Sequence, residues 1–183
     1  MKRQRRLLAV TAVVGAAIAL SATASTASPA GDNSFGGRNV LAENLSSFNE
    51  TPQTLSTTGV GRFFATIDDR NQTITYRLSY SNLAGTVTQS HIHLGGMSMS
   101  GGISVFLCTN LGNGPAGTQA CPAAPAVVTG TLKPGDIIGP AAQGLTAGQF
   151  AELVKAIRAG VTYVNVHSTT FPGGEIRAQL DRR

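Results

Sequence analysis

From about residue 40 onward, apolar and polar residues alternate with a period of two over most of the chain. Ile74, Tyr76, Leu78 and Tyr80 interleave with Thr73, Thr75, Arg77 and Ser79, the pattern of a strand with one buried and one wet face. The preceding Asp68-Asp69-Arg70-Asn71 reads as a tight turn from an earlier strand over 61–67, so the two form a hairpin. Further strands are expected over 40–47, 87–94, 103–107, 127–132, 161–167 and 175–180. Only one segment carries helical spacing. Phe150, Leu153, Val154 and Ile157 share a face over 146–159, with Thr146 placed to cap the start and Gly160 to stop the end. Short strands separated by Gly, Pro and Asn turns, with one short helix near the C-terminus, predict an all-β fold. The expected architecture is an antiparallel β-sandwich or flattened barrel of roughly seven to nine strands.

The pattern fails at the N-terminus, where a different signal takes over. Lys2, Arg3, Arg5 and Arg6 precede an apolar run from Leu7 to Leu20, and small residues follow, with Ala22-Thr23-Ala24 the best cleavage match. This is the order of a secretory signal peptide, and the run is shorter than the ~20 residues a membrane span needs. The expected organisation is a signal peptide over 1–27, a disordered leader over 28–38 rich in Ser, Ala, Gly and Asn, and one β domain over 39–183. The mature chain is then secreted or held at the cell envelope, with no membrane span after cleavage.

Export changes the reading of charge and of cysteine. Fourteen basic residues face nine acidic ones, but four of the basic residues lie in the first six positions and leave with the signal. The remainder are scattered, with no stripe to neutralise a row of phosphates, so nucleic acid is excluded as a partner. Cys108 and Cys121 are the only cysteines. In an exported chain they read as one disulfide closing a floppy Gly/Asn/Pro/Thr loop, worth about 3 kcal/mol by loop entropy.

The candidate chemistry sits in three histidines, His91, His93 and His167, the only ones in the chain. His91 and His93 flank Ile92 on one strand, so both rings share a face. On the strand 161–167, Tyr163, Asn165 and His167 share a face opposite to Val164 and Val166. If the two strands are neighbours, three imidazoles converge, and three neutral imidazoles suit copper or zinc with one position open. The competing reading is polar packing, each ring hydrogen-bonded to a neighbour such as Glu175 or Arg177 on the polar face of the last strand. Met97 and Met99, just beyond, either add soft thioether ligands for Cu(I) or, as the preferred reading, fill gaps at the end of the sandwich.

These motifs carry a family resemblance. Ser90-His91-Ile92-His93-Leu94-Gly95, followed by Gly101-Gly102-Ile103-Ser104-Val105-Phe106-Leu107, resembles the His-Ile-His segment of the CHRD domain, the module repeated in chordin. Gly160 to Ser168 and Phe171 to Leu180 resemble its closing motif, and Leu45 to Pro52 a weaker N-terminal one. The likeness spans about residues 40 to 181. It implies an extracellular, β-rich binding or structural module whose partner is an extracellular protein or surface ligand, and a polar cluster of His91, His93, Asn165, His167, Glu175 and Arg177. A looser likeness is to copper-zinc superoxide dismutase, which also sets His-x-His on a strand of a β-sandwich but uses more histidines than this chain owns. It implies an alternative, a copper-dependent redox enzyme in which Arg177 steers an anion to the open position. Other enzyme classes find no footing: there is no Gly-x-Ser-x-Gly elbow and no phosphate-cradling glycine loop ahead of a helix.

Overall fold

A computed structural model describes residues 39–181, and the expected signal peptide and the expected leader lie outside the described residues. Eight strands follow one another as β1 (Val40–Ser46), β2 (Val60–Asp68), β3 (Thr73–Ser81), β4 (Val87–Leu94), β5 (Gly102–Thr109), β6 (Ala126–Leu132), β7 (Thr162–Ser168) and β8 (Ile176–Leu180). One helix, α1 (Phe150–Arg158), lies between β6 and β7. All pairings are antiparallel, in the order β5-β4-β7-β8-β1-β2-β3-β6. The result is a nearly closed, barrel-like sheet. It has two seams. β8 and β1 share a single residue pair, Ser46 with Arg177. At the other seam, Tyr76 Oη on β3 donates to the Leu107 carbonyl on β5, and the Gln119 side chain donates to the carbonyls of Leu107 and Thr129.

The alternation that predicts the strands also fills the core. Phe63, Ala65 and Ile67 on β2, Ile74, Tyr76, Leu78 and Tyr80 on β3, and Ile92, Val164, Val166, Ile176 and Ala178 opposite them are buried in one cluster. Phe150, Leu153, Val154 and Ile157 of α1 join it through the expected helical face. Burying each such side chain contributes about 1.5–3 kcal/mol. The helix is shorter than its pattern suggests. It begins at Phe150 with Gln149 as its cap residue, and Thr146 makes no side-chain cap; its N–H instead donates to Gln149 Oε1 at 2.8 Å. Gly148 at φ +81° turns the chain between the two, so the apolar spacing starts before the backbone can follow it. Gly160 at φ +68° ends the helix as expected.

Cys108 and Cys121 form the disulfide. Both are buried, and the bond ties the end of β5 to the segment that leads into β6, beside the Gln119 bridge.

Candidate metal centre

β4 and β7 are neighbours, and their register decides the site. His91 lies opposite Asn165, His93 opposite Tyr163, and His167 opposite Gln89. His91 and His167 are therefore diagonal neighbours on one face, within reach across adjacent strands. Irregular pairing with β5 on either side of the His91-Ile92 pair keeps Phe106 against His91, ring centroids 4.4 Å apart. Ile92 and Val164 point into the core while the histidines stand on the outer face. All three rings are nonetheless buried, and the loops 95–101 and 169–174 each set a carbonyl against one of them.

Each histidine brings one ring nitrogen within 4.8 Å of the other two. Their partners fix the tautomers. His93 Nδ1 donates to the Gly101 carbonyl at 2.9 Å, and His167 Nδ1 donates to the Pro172 carbonyl at 2.9 Å. The Nε2 lone pairs of both rings are then free to accept. His91 Nδ1 lies 3.2 Å from His167 Nε2, a contact that one shared proton can satisfy or a bound cation can replace. The Nε2 atoms of His91 and His93 are buried without a hydrogen-bond partner. Asn165 Oδ1, a further acceptor, sits 3.0 Å from His167 Nε2. The centre is rich in acceptors and short of protons.

Electrostatics keep the rings neutral. Burial, then the neighbouring rings, pushes His91 down to about 2, and burial chiefly pushes His93 down to about 4. Burial also lowers His167. Neutral imidazoles with carbonyl-fixed tautomers are the form that ligates a metal, and outer-shell acceptors of this kind orient the ligating rings.

Arg177 supports the site indirectly. Its guanidinium lies 3.4 Å above the centre of the Tyr163 ring, which stacks on His93 at 4.7 Å. Its Nη2 donates to the carbonyls of Gly96, Met97 and Met99 at 2.8, 3.3 and 3.0 Å. Arg177 thus pins the loop 95–101 whose last carbonyl holds His93. This corrects two expectations. Arg177 is 1% exposed and its charge is taken up by carbonyls and a ring face, so it steers no anion. Nor does it, or Glu175, hydrogen-bond an imidazole. Glu175 faces away and accepts from the Ala84 N–H at 2.7 Å, because it precedes β8 beside Gly174, whose φ of +130° breaks the strand parity. The methionines correct a third. Met97 and Met99 are 71% and 62% exposed and fill no gap; their loop contributes its backbone instead.

Sequence reasoning missed Glu50. The weak motif Leu45–Pro52 contains this residue, which is buried and faces Arg177 and the Asn165 amide. Burial raises its carboxyl to about 7, against the opposing pull of the Thr51 N–H and of Arg177. A Cβ on Gly174 would fall 2.7 Å from Glu50 Oε1 and 2.8 Å from Asn165 Nδ2, so only glycine leaves room for the pair. Its position beyond β1, on a loop, gave no periodic signal.

An all-β antiparallel barrel carrying a buried cluster of neutral histidines on its outer wall defines the class. The CHRD domain model matches residues 41–180, and the chain belongs to that family. No curated protein and no solved structure matches it.

Proposed function

We propose that this chain is an exported CHRD module that holds one copper or zinc ion through His91, His93 and His167. The family and the disulfide are compatible with an extracellular location. The observation that carries the metal reading is the proton shortage of the cluster. With His167 Nδ1 committed to Pro172, its Nε2 faces His91 Nδ1 and Asn165 Oδ1, while two other Nε2 atoms stay buried without partners. Leaving a buried acceptor unsatisfied costs about 1–3 kcal/mol, and a bound cation relieves several at once. Three neutral nitrogen donors suit copper or zinc rather than calcium or magnesium.

The role is binding and architectural. The ligands come from β4 and β7, so the metal ties two neighbouring strands beneath the loops of residues 95–101 and 169–174. The redox alternative loses its anion guide with Arg177 buried.

Elemental analysis of the protein exported from its host, purified without chelator, tests this. The expected result is about one equivalent of copper or zinc, lost in His91→Ala while the fold is retained by circular dichroism. A metal-free protein that takes up neither ion when both are offered overturns the metal reading. Turnover of superoxide that disappears in His93→Ala restores the redox alternative.

A further inference from the structure

Asn165 stands at the middle of the histidine cluster, and its side-chain oxygen has no proton to face. On β7 it lies directly opposite His91, two residues before His167 on the same face, and diagonal to His93, which pairs with Tyr163. Its other neighbour is Arg177 of β8. Opposite and diagonal side chains on one face of a sheet are within reach of one another. Ser90 Oγ donates to the Asn165 carbonyl at 2.6 Å and holds the backbone in place. The side chain is buried with it.

A buried amide has a donor end and an acceptor end, and here the two face different neighbours. The nitrogen turns to Glu50: Asn165 Nδ2 and both carboxyl oxygens of Glu50 lie within 2.8 Å of the point that a Cβ on Gly174 would take. Glu50 Oε1 is buried without a hydrogen-bond partner of its own, so the carboxyl draws the donor end of the amide. The oxygen turns to the histidines. Asn165 Oδ1 lies 3.0 Å from His167 Nε2, and the side chain bears on His93 as well. His167 Nδ1 donates to the Pro172 carbonyl, so the Nε2 that meets Oδ1 is a lone pair. Two buried lone pairs so placed repel unless a positive charge lies against both.

The spacings fit a shared ion. Donors bound at ~2.0 Å to a tetrahedral metal stand ~3.3 Å from one another. Asn165 Oδ1 lies 3.0 Å and His91 Nδ1 3.2 Å from the same His167 nitrogen. Other candidates for a fourth donor are turned elsewhere: Met97 and Met99 are largely exposed, and Glu175 accepts from the Ala84 N–H. We propose that Asn165 Oδ1 is the fourth ligand of the centre, a role that rests on the three-histidine reading above. Three imidazoles and one amide oxygen close the site. The ion then has a structural task, since four protein donors leave no position for a substrate, as in structural rather than catalytic zinc sites.

The test follows zinc into the isotope-labelled, metal-stripped protein by NMR. The expected result is that the Asn165 Cγ resonance and the ring nitrogens of His91, His93 and His167 move together and stop at one equivalent. Rings that move while Cγ stays put overturn the fourth ligand and leave the three-histidine site standing. If neither moves, both readings fall. Asn165→Ala should bind zinc at least tenfold more weakly in competition with a chelating dye, and an unchanged affinity overturns the proposal. Where circular dichroism shows that the alanine variant does not fold, Asn165→Asp keeps the shape and puts a charged oxygen on the ion. It should bind zinc more tightly than the wild type, and equal affinity again overturns the proposal. Azide added to the copper(II)-loaded wild type should raise no charge-transfer band; a band would reveal an open position and overturn the closed site.

Discussion

Acid should unfold the metal-free protein more steeply once Glu50 is replaced by glutamine, because the buried carboxyl opposes the histidines. His91 and His93 are held neutral in the fold, at about 2 and about 4, against an ordinary 6.5. A histidine with a depressed value contributes stability that is present above 6.5 and is lost as the pH falls below it, since the unfolded chain then binds the proton that the fold refuses. Between pH 6.5 and 5.5 that loss integrates to about 1 kcal/mol for each ring, about 2 kcal/mol for the two, at 1.36 kcal/mol per unit. His167 shifts in the same direction and adds to it. Glu50 works the other way. Its carboxyl is raised to about 7, so the fold holds a proton that the unfolded chain releases, and its contribution grows as the pH falls from 7 towards 4.5. Over the same interval it returns about 1 kcal/mol. Urea titrations with chelator present, at pH 6.5 and 5.5, give the two free energies directly. The wild-type chain should lose at least about 1 kcal/mol across the step, and Glu50→Gln about 1 kcal/mol more. Equal losses in the two proteins would mean that Glu50 is ionised in the fold. A stability flat with pH would refute the buried, neutral histidines themselves.

Two further outcomes are expected. Replacing Cys108 and Cys121 together by serine should lower the unfolding free energy by about 3 kcal/mol, read as a shift in the urea midpoint, because the pair closes the loop beside the β5–β6 seam. Arg177→Lys keeps the charge but loses the fork that reaches three carbonyls of the loop 95–101; it should cost about 2–4 kcal/mol. It should also speed hydrogen exchange in that loop, measured by mass spectrometry, and a variant with wild-type exchange there would remove Arg177 from its clamping role.

Much of the fold was legible because its strands are half-buried. β3 reads directly from Ile74, Tyr76, Leu78 and Tyr80, all in the core, and β4 lies over the residues expected. The helix start was misread, since apolar spacing marks a face but not the residue where the backbone begins to coil, and Gly148 set that point. The shared face of His91 and His93, and of Asn165 and His167, followed from period two alone. Their partners did not. Main-chain carbonyls from Gly101 and Pro172 look the same in any sequence, and the carboxylate at the site came from Glu50 on a loop rather than from Glu175.

Which residues alternate, and hence the strands, the core and the two groups of histidines, is written in the order of the amino acids, because side-chain direction along a strand is a local property. Long-range packing set β4 and β7 side by side, in a register that puts His167 diagonal to His91. It also decided that Arg177 turns inward onto Tyr163, and that β1 and β8 pair at a single position. These outcomes depend on register and loop path, which are fixed by packing between segments far apart in the chain.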